Sequence, residues 1–338
     1  MTIGTRLILK DRKPLETLLP LASPMVLFID PADICNSKCS FCPTSSKDLM
    51  KEVQRPLKQM DFNLYKKIID DLQQFETKIK VIRLYQHGEP LLNKHFCDMI
   101  KYAKDSNKVE TVDTTTNALC LNPELNFKII ESGIDRINIS INGLSDEQYL
   151  KFAGVKVDFK KLVDNITHLY NNRKQCYVFI KINGDTLENG IEDEKKFLEI
   201  FEPIADAVAI ERSMGCWEGF EPKGFVKPID KNVSIYGQQV QREVLVCPYT
   251  QYSIAVNSDL SVSQCFLDWN RKMIIGDANT ESIYDIWHGK KFRAFQDMML
   301  KGERKSHFYC KDCNQLIGGQ PSDIDRYAEE ILNKRHKV

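Results

Sequence analysis

No apolar run in this chain of 338 residues approaches the roughly 18–20 residues that span a bilayer. A signal-peptide core is missing as well, because the N-terminal stretch MTIGTRLILKDRKPLETLLPL is broken by charges and by Pro14. Nor is there an excess of charge: Lys plus Arg and Asp plus Glu both number 47. A formal net charge of zero removes any global attraction to nucleic-acid phosphates. Internal repeats and low-complexity segments are also absent. What remains is an ordinary globular mix, 42% hydrophobic and 28% charged. The expectation is a cytoplasmic protein with neither membrane nor nucleic-acid partners, long enough for one large α/β domain and a small appendage.

Cysteine, by contrast, is plentiful, with eleven in the chain. The cytoplasm keeps thiols reduced, so clustered cysteines there read as metal or redox sites rather than as disulfides. Seven fall into two groups: Cys35, Cys39 and Cys42 near the start, and Cys247, Cys265, Cys310 and Cys313 near the end. Cys97, Cys120, Cys176 and Cys216 stand alone, and the first three of these read as small core hydrophobes.

Between residues 25 and 212, short β-like runs alternate with amphipathic helical stretches. The runs cover 25–30, 80–85, 110–115, 136–141, 177–182 and 207–211, as buried parallel strands should. Leu64, Ile68, Leu72 and Phe75 form one apolar helix face after a cap at Asp61. Asn122-Pro123 and Ser145-Asp146-Glu147 open two further helices. Six β-α units in a row imply a parallel sheet whose ligands sit at the carboxyl ends of the strands. Residues 214–231 read as an irregular connection. Beyond it, 253–256 and 260–263 form a hairpin, 280–292 one helix carrying Trp287, and the tail a helix capped at Ser322.

Cys35-Asn-Ser-Lys-Cys39-Ser-Phe-Cys42 is a C-x3-C-x2-C segment just after the first strand. Three thiolates on one loop can hold three irons of a cubane and leave the fourth open. The alternative is a zinc loop completed by a distant ligand. Further along come Gln86-His87-Gly88-Glu89-Pro90-Leu91 after the second run, Thr116-Asn117 after the third, and Ser140-Ile141-Asn142-Gly143 after the fourth. Together with Phe41 before the last cysteine, this ordered set resembles the radical S-adenosylmethionine (SAM) superfamily. The resemblance covers roughly residues 25–315. It implies a [4Fe–4S] cluster on Cys35, Cys39 and Cys42, with SAM chelated to the open iron. Gly88, Glu89, Asn117, Ser140 and Asn142 become the cofactor-binding positions. His87, Ala118 and Asn142 depart from the family's usual Gly, Gly and Asp.

Cys247, Cys265, Cys310 and Cys313 run as C-x17-C-x44-C-x2-C. This resembles the SPASM or shorter twitch domains, and implies a second, auxiliary [4Fe–4S] cluster that carries electrons; a four-cysteine zinc site is the alternative. The resemblance implies a partial (β/α)6 TIM-like barrel followed by a small α+β auxiliary iron–sulfur domain. The expected divisions are an extension at 1–24, the barrel at 25–235, the auxiliary domain at 236–321 and a C-terminal helix at 322–338.

The spacing of the second group is similar to that in superfamily members that dehydrogenate amino-cyclitols. The leading expectation is therefore oxidation of a carbinol carbon in a sugar- or cyclitol-like small molecule, supplied with electrons by a flavodoxin- or ferredoxin-type reductant. Such chemistry needs a base or charge stabiliser at the carboxyl end of the barrel. Glu211, Arg212 and Asp268 are the candidates, and strand alternation puts only one of Glu211 and Arg212 inside. Epimerisation with Cys216 as hydrogen donor is a second expectation, and modification of a ribosomal peptide a third. Against the third, 24 residues before the first strand are few for a peptide-recognition domain. A non-enzymatic electron carrier would leave the SAM motifs without a purpose.

Overall fold

The computed structural model describes residues 13–223, 233–236, 244–318 and 322–336. Residues 1–12 of the expected extension and 224–231 of the expected connection lie outside these. All six expected strands form: β1 Val26–Ile29, β2 Ile79–Arg83, β3 Val109–Thr116, β4 Arg136–Ile141, β5 Tyr177–Asn183 and β6 Ala207–Glu211. Each pairs in parallel with its sequence neighbour, and helices cover the outer face. Alternation divides each strand. Leu27, Ile82, Val112, Ile139, Ile180 and Val208 join the helices in the main core. Phe28, Arg83, Asp113, Asn138, Lys181 and Glu211 occupy the opposite, inner face.

The sheet does not end at β1. Among the described residues, the hairpin strands β7 Ser253–Val256 and β8 Ser261–Ser263, with β9 Ile274–Asp277, extend it to nine strands in the order β6-β5-β4-β3-β2-β1-β7-β8-β9. β7 runs parallel to β1, pairing Val26 with Ser253 and Ile29 with Val256, and the hairpin then turns antiparallel. A partial barrel and a C-terminal antiparallel unit therefore share one sheet.

Capping follows the sequence closely. Asp61, Asn122 and Ser145 accept hydrogen bonds from the first-turn amides of helices Phe62–Asp71, Pro123–Glu131 and Asp146–Ala153. Three expectations need correction. Of the expected face after Asp61, Ile68, Leu72 and Phe75 are buried, joined by Tyr65 and Ile69, while Leu64 is 38% exposed. The helix expected over 280–292 is two, Ile283–His288 and Lys290–Leu300, separated by an extended Gly289. The tail helix is Ala328–Arg335 after a 3-10 turn at Asp325–Tyr327, so Ser322 is not its cap. No helix among the described residues is long and apolar enough to cross a membrane.

Candidate iron–sulfur and cofactor site

β1 delivers the chain to the first cysteine loop. Ser37 N–H donates to Cys35 Sγ at 3.4 Å, Thr44 Oγ1 lies 3.1 Å from Cys42 Sγ, and Ser45 Oγ lies 2.7 Å from the carbonyl oxygens of both Cys39 and Cys42. The far side of the loop is fastened to the end of helix Asp146–Ala153, where Ala153 and Phe152 accept from the amides of Lys38 and Ser40. The three thiols are close enough to affect one another: burial first, then Cys42 and Cys35, push the Cys39 thiol well above its ordinary value.

The loop after β2 packs directly on this one. Glu89 N–H donates to Ile34 O at 2.8 Å. A side chain at Gly88 would place its Cβ 1.8 Å from Ala32 O and 2.6 Å from Ile34 O, so only glycine permits the approach. The Glu89 carboxylate, 2% exposed, turns away to bind the end of β3, accepting from Thr116 Oγ1 at 2.6 Å, Asn117 N at 2.8 Å and Leu91 N at 3.1 Å. Burial lifts its pKa to about 7, against the pull of these donors. Asn117 in turn donates from Nδ2 to Asn36 Oδ1 at 2.7 Å and to Ser37 Oγ at 3.1 Å, 3.8 Å from Cys35 Sγ. Glu89 and Asn117 thus brace the cysteine loop. Ala118 holds the left-handed backbone, φ 64°, where the family pattern carries glycine. Burial first, then Arg55 and Arg271, hold the buried His87 imidazole well below its usual pKa and therefore neutral.

Ser140 lies opposite Lys181 on the inner face, and the buried Asn142 donates its N–H to Tyr149 Oη at 3.3 Å. Of the two candidates closing β6, Glu211 points inward, 4% exposed, and pairs with Lys181 at 2.9 Å. The side chain of Arg212 is 42% exposed and bonded to Asp185, off the inner face. Lys181 is a functional candidate that the sequence reading passed over, although a charge interrupting Tyr-Val-Phe-Ile-Lys-Ile was a signal for it.

Asp268 lies on the loop after Cys265, as its sequence position implies. Fully buried, it folds its own loop, accepting from Ser263 Oγ at 2.8 Å, Lys272 N at 2.9 Å and Met273 N at 3.0 Å. A carboxylate so engaged organises its own loop. Cys216, also buried, sits against the auxiliary cysteines: Asn314 Nδ2 donates to Gly215 O at 3.0 Å, and burial together with Cys313 raises the Cys216 thiol. That placement lends the epimerase reading no support. Cys176 is buried, and Cys97 and Cys120 pack half-buried against the core.

Cys247, Cys265, Cys310 and Cys313 line one cavity, together with the apolar groups of Phe266, Leu267, Met273 and Phe295. Burial, then their neighbours' charge, raises Cys247 to about 12 and Cys265 well above its ordinary value. Four thiols that resist ionisation in an apolar recess fit an iron–sulfur cluster, whose irons stabilise the thiolates directly. The three-thiol loop, with the Ser37 amide donating to Cys35, fits a cluster with an open iron in the same way.

An inner-faced parallel barrel with cysteine loops at its strand ends defines the class, an iron–sulfur enzyme. The Radical SAM superfamily model matches residues 29–195, and an iron–sulfur cluster-binding domain, SPASM, matches residues 247–314. The chain belongs to the radical SAM superfamily, with a [4Fe–4S] cluster, SAM and an auxiliary iron–sulfur cluster as its cofactors. It is 23% identical to the SAM-dependent 2-deoxy-scyllo-inosamine dehydrogenase of Niallia circulans over 83% of this chain and 89% of that protein. Among solved structures it resembles BtrN in complex with AdoMet and 2-DOIA, with a TM-score of 0.56, 21% identity and coverage of 89% of this chain and 97% of that one. Native anSMEcpe with bound AdoMet is similar at a TM-score of 0.62 and 15% identity, with coverage of 91% and 96%. At these identities the likeness is one of fold.

Proposed function

We propose that this enzyme oxidises a carbinol carbon of a sugar- or cyclitol-like small molecule to a ketone. In this reading Cys35, Cys39 and Cys42 hold the SAM cluster, and Cys247, Cys265, Cys310 and Cys313 hold the auxiliary one. When bound, these groups supply a 5′-deoxyadenosyl radical that takes the carbinol hydrogen atom and an acceptor for the second electron. The protein's residues do the rest. Gly88 lets the loop after β2 close on the cysteine loop, and Glu89 and Asn117 hold it there. The hydroxyl proton passes to the Lys181–Glu211 pair, where Glu211 is the acceptor and Lys181 offsets the charge left on oxygen.

The observation that carries this reading is the Lys181–Glu211 ion pair at 2.9 Å on the inner face. It stands at the carboxyl ends of β5 and β6, where such barrels bind substrate. The similarity to a cyclitol dehydrogenase supports the substrate class. The enzyme is proposed to work in the cytoplasm with a flavodoxin- or ferredoxin-type reductant. The experiment uses 2-deoxy-scyllo-inosamine and related cyclitols deuterated at each carbinol carbon. Deuterium appearing in 5′-deoxyadenosine with an equivalent of ketone supports oxidation. An inverted alcohol carrying solvent hydrogen, with no ketone, overturns it.

A further inference from the structure

We propose that Arg271 is a positioning residue that couples the two cysteine groups, passing the conformation of the Cys265 loop to the loop bearing Cys35, Cys39 and Cys42. The inference rests on the reading that both groups hold clusters.

Asp33 lies two residues before Cys35 and its side chain is wholly buried. Three side chains donate to its carboxylate: Arg55, Ser258 and Arg271. Two of the three come from the C-terminal part of the chain. Arg271 Nη2 reaches both oxygens, at 2.7 and 2.9 Å, across 238 positions of sequence. On the other side, Asp33 N–H donates to Lys58 O at 2.8 Å, and the next residue's carbonyl, Ile34 O, accepts from Glu89. The rotation of Asp33 therefore bears on both the cysteine loop and the loop that Gly88 lets approach it.

Arg271 is itself held firmly. Its backbone sits at φ 59°, a left-handed conformation that a non-glycine residue keeps only when its surroundings impose it. What imposes it is the fold of residues 265–273 around Asp268. Asp268 N–H donates to Cys265 O at 3.2 Å, Arg271 N–H to Asp268 O at 3.4 Å, and the Asp268 carboxylate closes the loop on Lys272 and Met273. Leu267 N–H donates to Cys265 Sγ at 3.4 Å. Cys265 and Arg271 are the two ends of one braced loop. A ligand that orders Cys265 also fixes Arg271, which fixes Asp33. Linkage is reciprocal, so ordering the first cysteine loop favours the second site by the same factor.

The test is amide hydrogen exchange on the full-length reconstituted protein, read at residues 35–42, with iron and sulfide counted in the same samples. Arg271→Met, Cys265→Ser and the double variant are compared with the parent, with Arg271→Lys as the conservative control. Coupling predicts exchange at 35–42 faster by about ten-fold or more in each single variant. The double variant should add little, because both act through one path, and Arg271→Lys should recover part of the protection. Faster exchange confined to 258–273 in Arg271→Met, with 35–42 unchanged, would overturn the proposal, as would fully additive effects. Should Arg271→Met not accumulate as folded protein, Cys265→Ser alone decides, and unchanged exchange at 35–42 there counts against coupling. Failure of the cluster reading shows separately, as parent protein lacking iron at one of the two cysteine groups.

Discussion

Lys181 and Glu211 project from neighbouring parallel strands, two residues out of direct register, and meet on the inner face. Removing either member breaks this pair, and each substitution removes a different half of the proposed proton transfer. Lys181→Met removes the positive charge that Lys181 sets beside the proton acceptor; Glu211→Gln keeps the shape and removes the acceptor. Both should lower ketone formation by roughly 10²- to 10⁴-fold, the range of general acid–base catalysis, while 5′-deoxyadenosine still forms. The ratio of the two products is the readout, and equal losses of both would assign the pair a structural role. Glu89 offers a second residue-level prediction. Burial raises its pKa from 4.5 to about 7, so between those values the folded state holds a proton that the unfolded state has released. Its contribution to stability therefore falls as pH rises from 4.5 to 7, by about 3 kcal/mol in all. Urea unfolding across this range should show wild type losing stability relative to Glu89→Gln, whose amide does not titrate. Parallel profiles for the two proteins would contradict it.

At the scale of elements, the loops matter more than the strands they follow. Gly88→Ala puts a methyl group inside Ala32 O and Ile34 O, and the loop after β2 must lift from the cysteine loop. SAM binding measured at equilibrium should weaken by at least about ten-fold, with stability lower by roughly 1–3 kcal/mol; unchanged affinity would mean the loop does not contact the cofactor. The strands were legible because each is a short β-branched run bounded by turn residues, and the caps because Asp61, Asn122 and Ser145 begin their helices in the expected way. The break at Gly289 was not, since flanking apolar residues keep a helical period straight through it. The role of Asp268 was hidden for a different reason. Beside Cys265 a carboxylate reads as chemistry, and only the fold reveals Ser263, Lys272 and Met273 as its partners. Asp33 and Arg271 gave no local signal, because their meaning is a contact between distant segments.

For the molecule as a whole, the strand pairing of β1 with β7 is decisive. The first strand leads into the first cysteine loop and lies beside the strand that begins the C-terminal hairpin. The loops bearing Cys35–Cys42 and Cys265 thus leave strands of one continuous sheet, and Asp33, Arg55 and Arg271 join those loops again through side-chain hydrogen bonds. Such a molecule should carry about eight irons on its seven grouped cysteines after anaerobic reconstitution. Replacing Cys310 and Cys313 should remove about four of them, leave SAM cleavage measurable and stop ketone formation. Retained ketone formation would remove the auxiliary cluster from the reaction. The most direct measurement is 5′-deoxyadenosine produced by the Cys35→Ala, Cys39→Ala, Cys42→Ala triple variant under reducing, anaerobic conditions. The account predicts none, with about four irons still bound at the auxiliary site. Continued 5′-deoxyadenosine formation in that variant would contradict it.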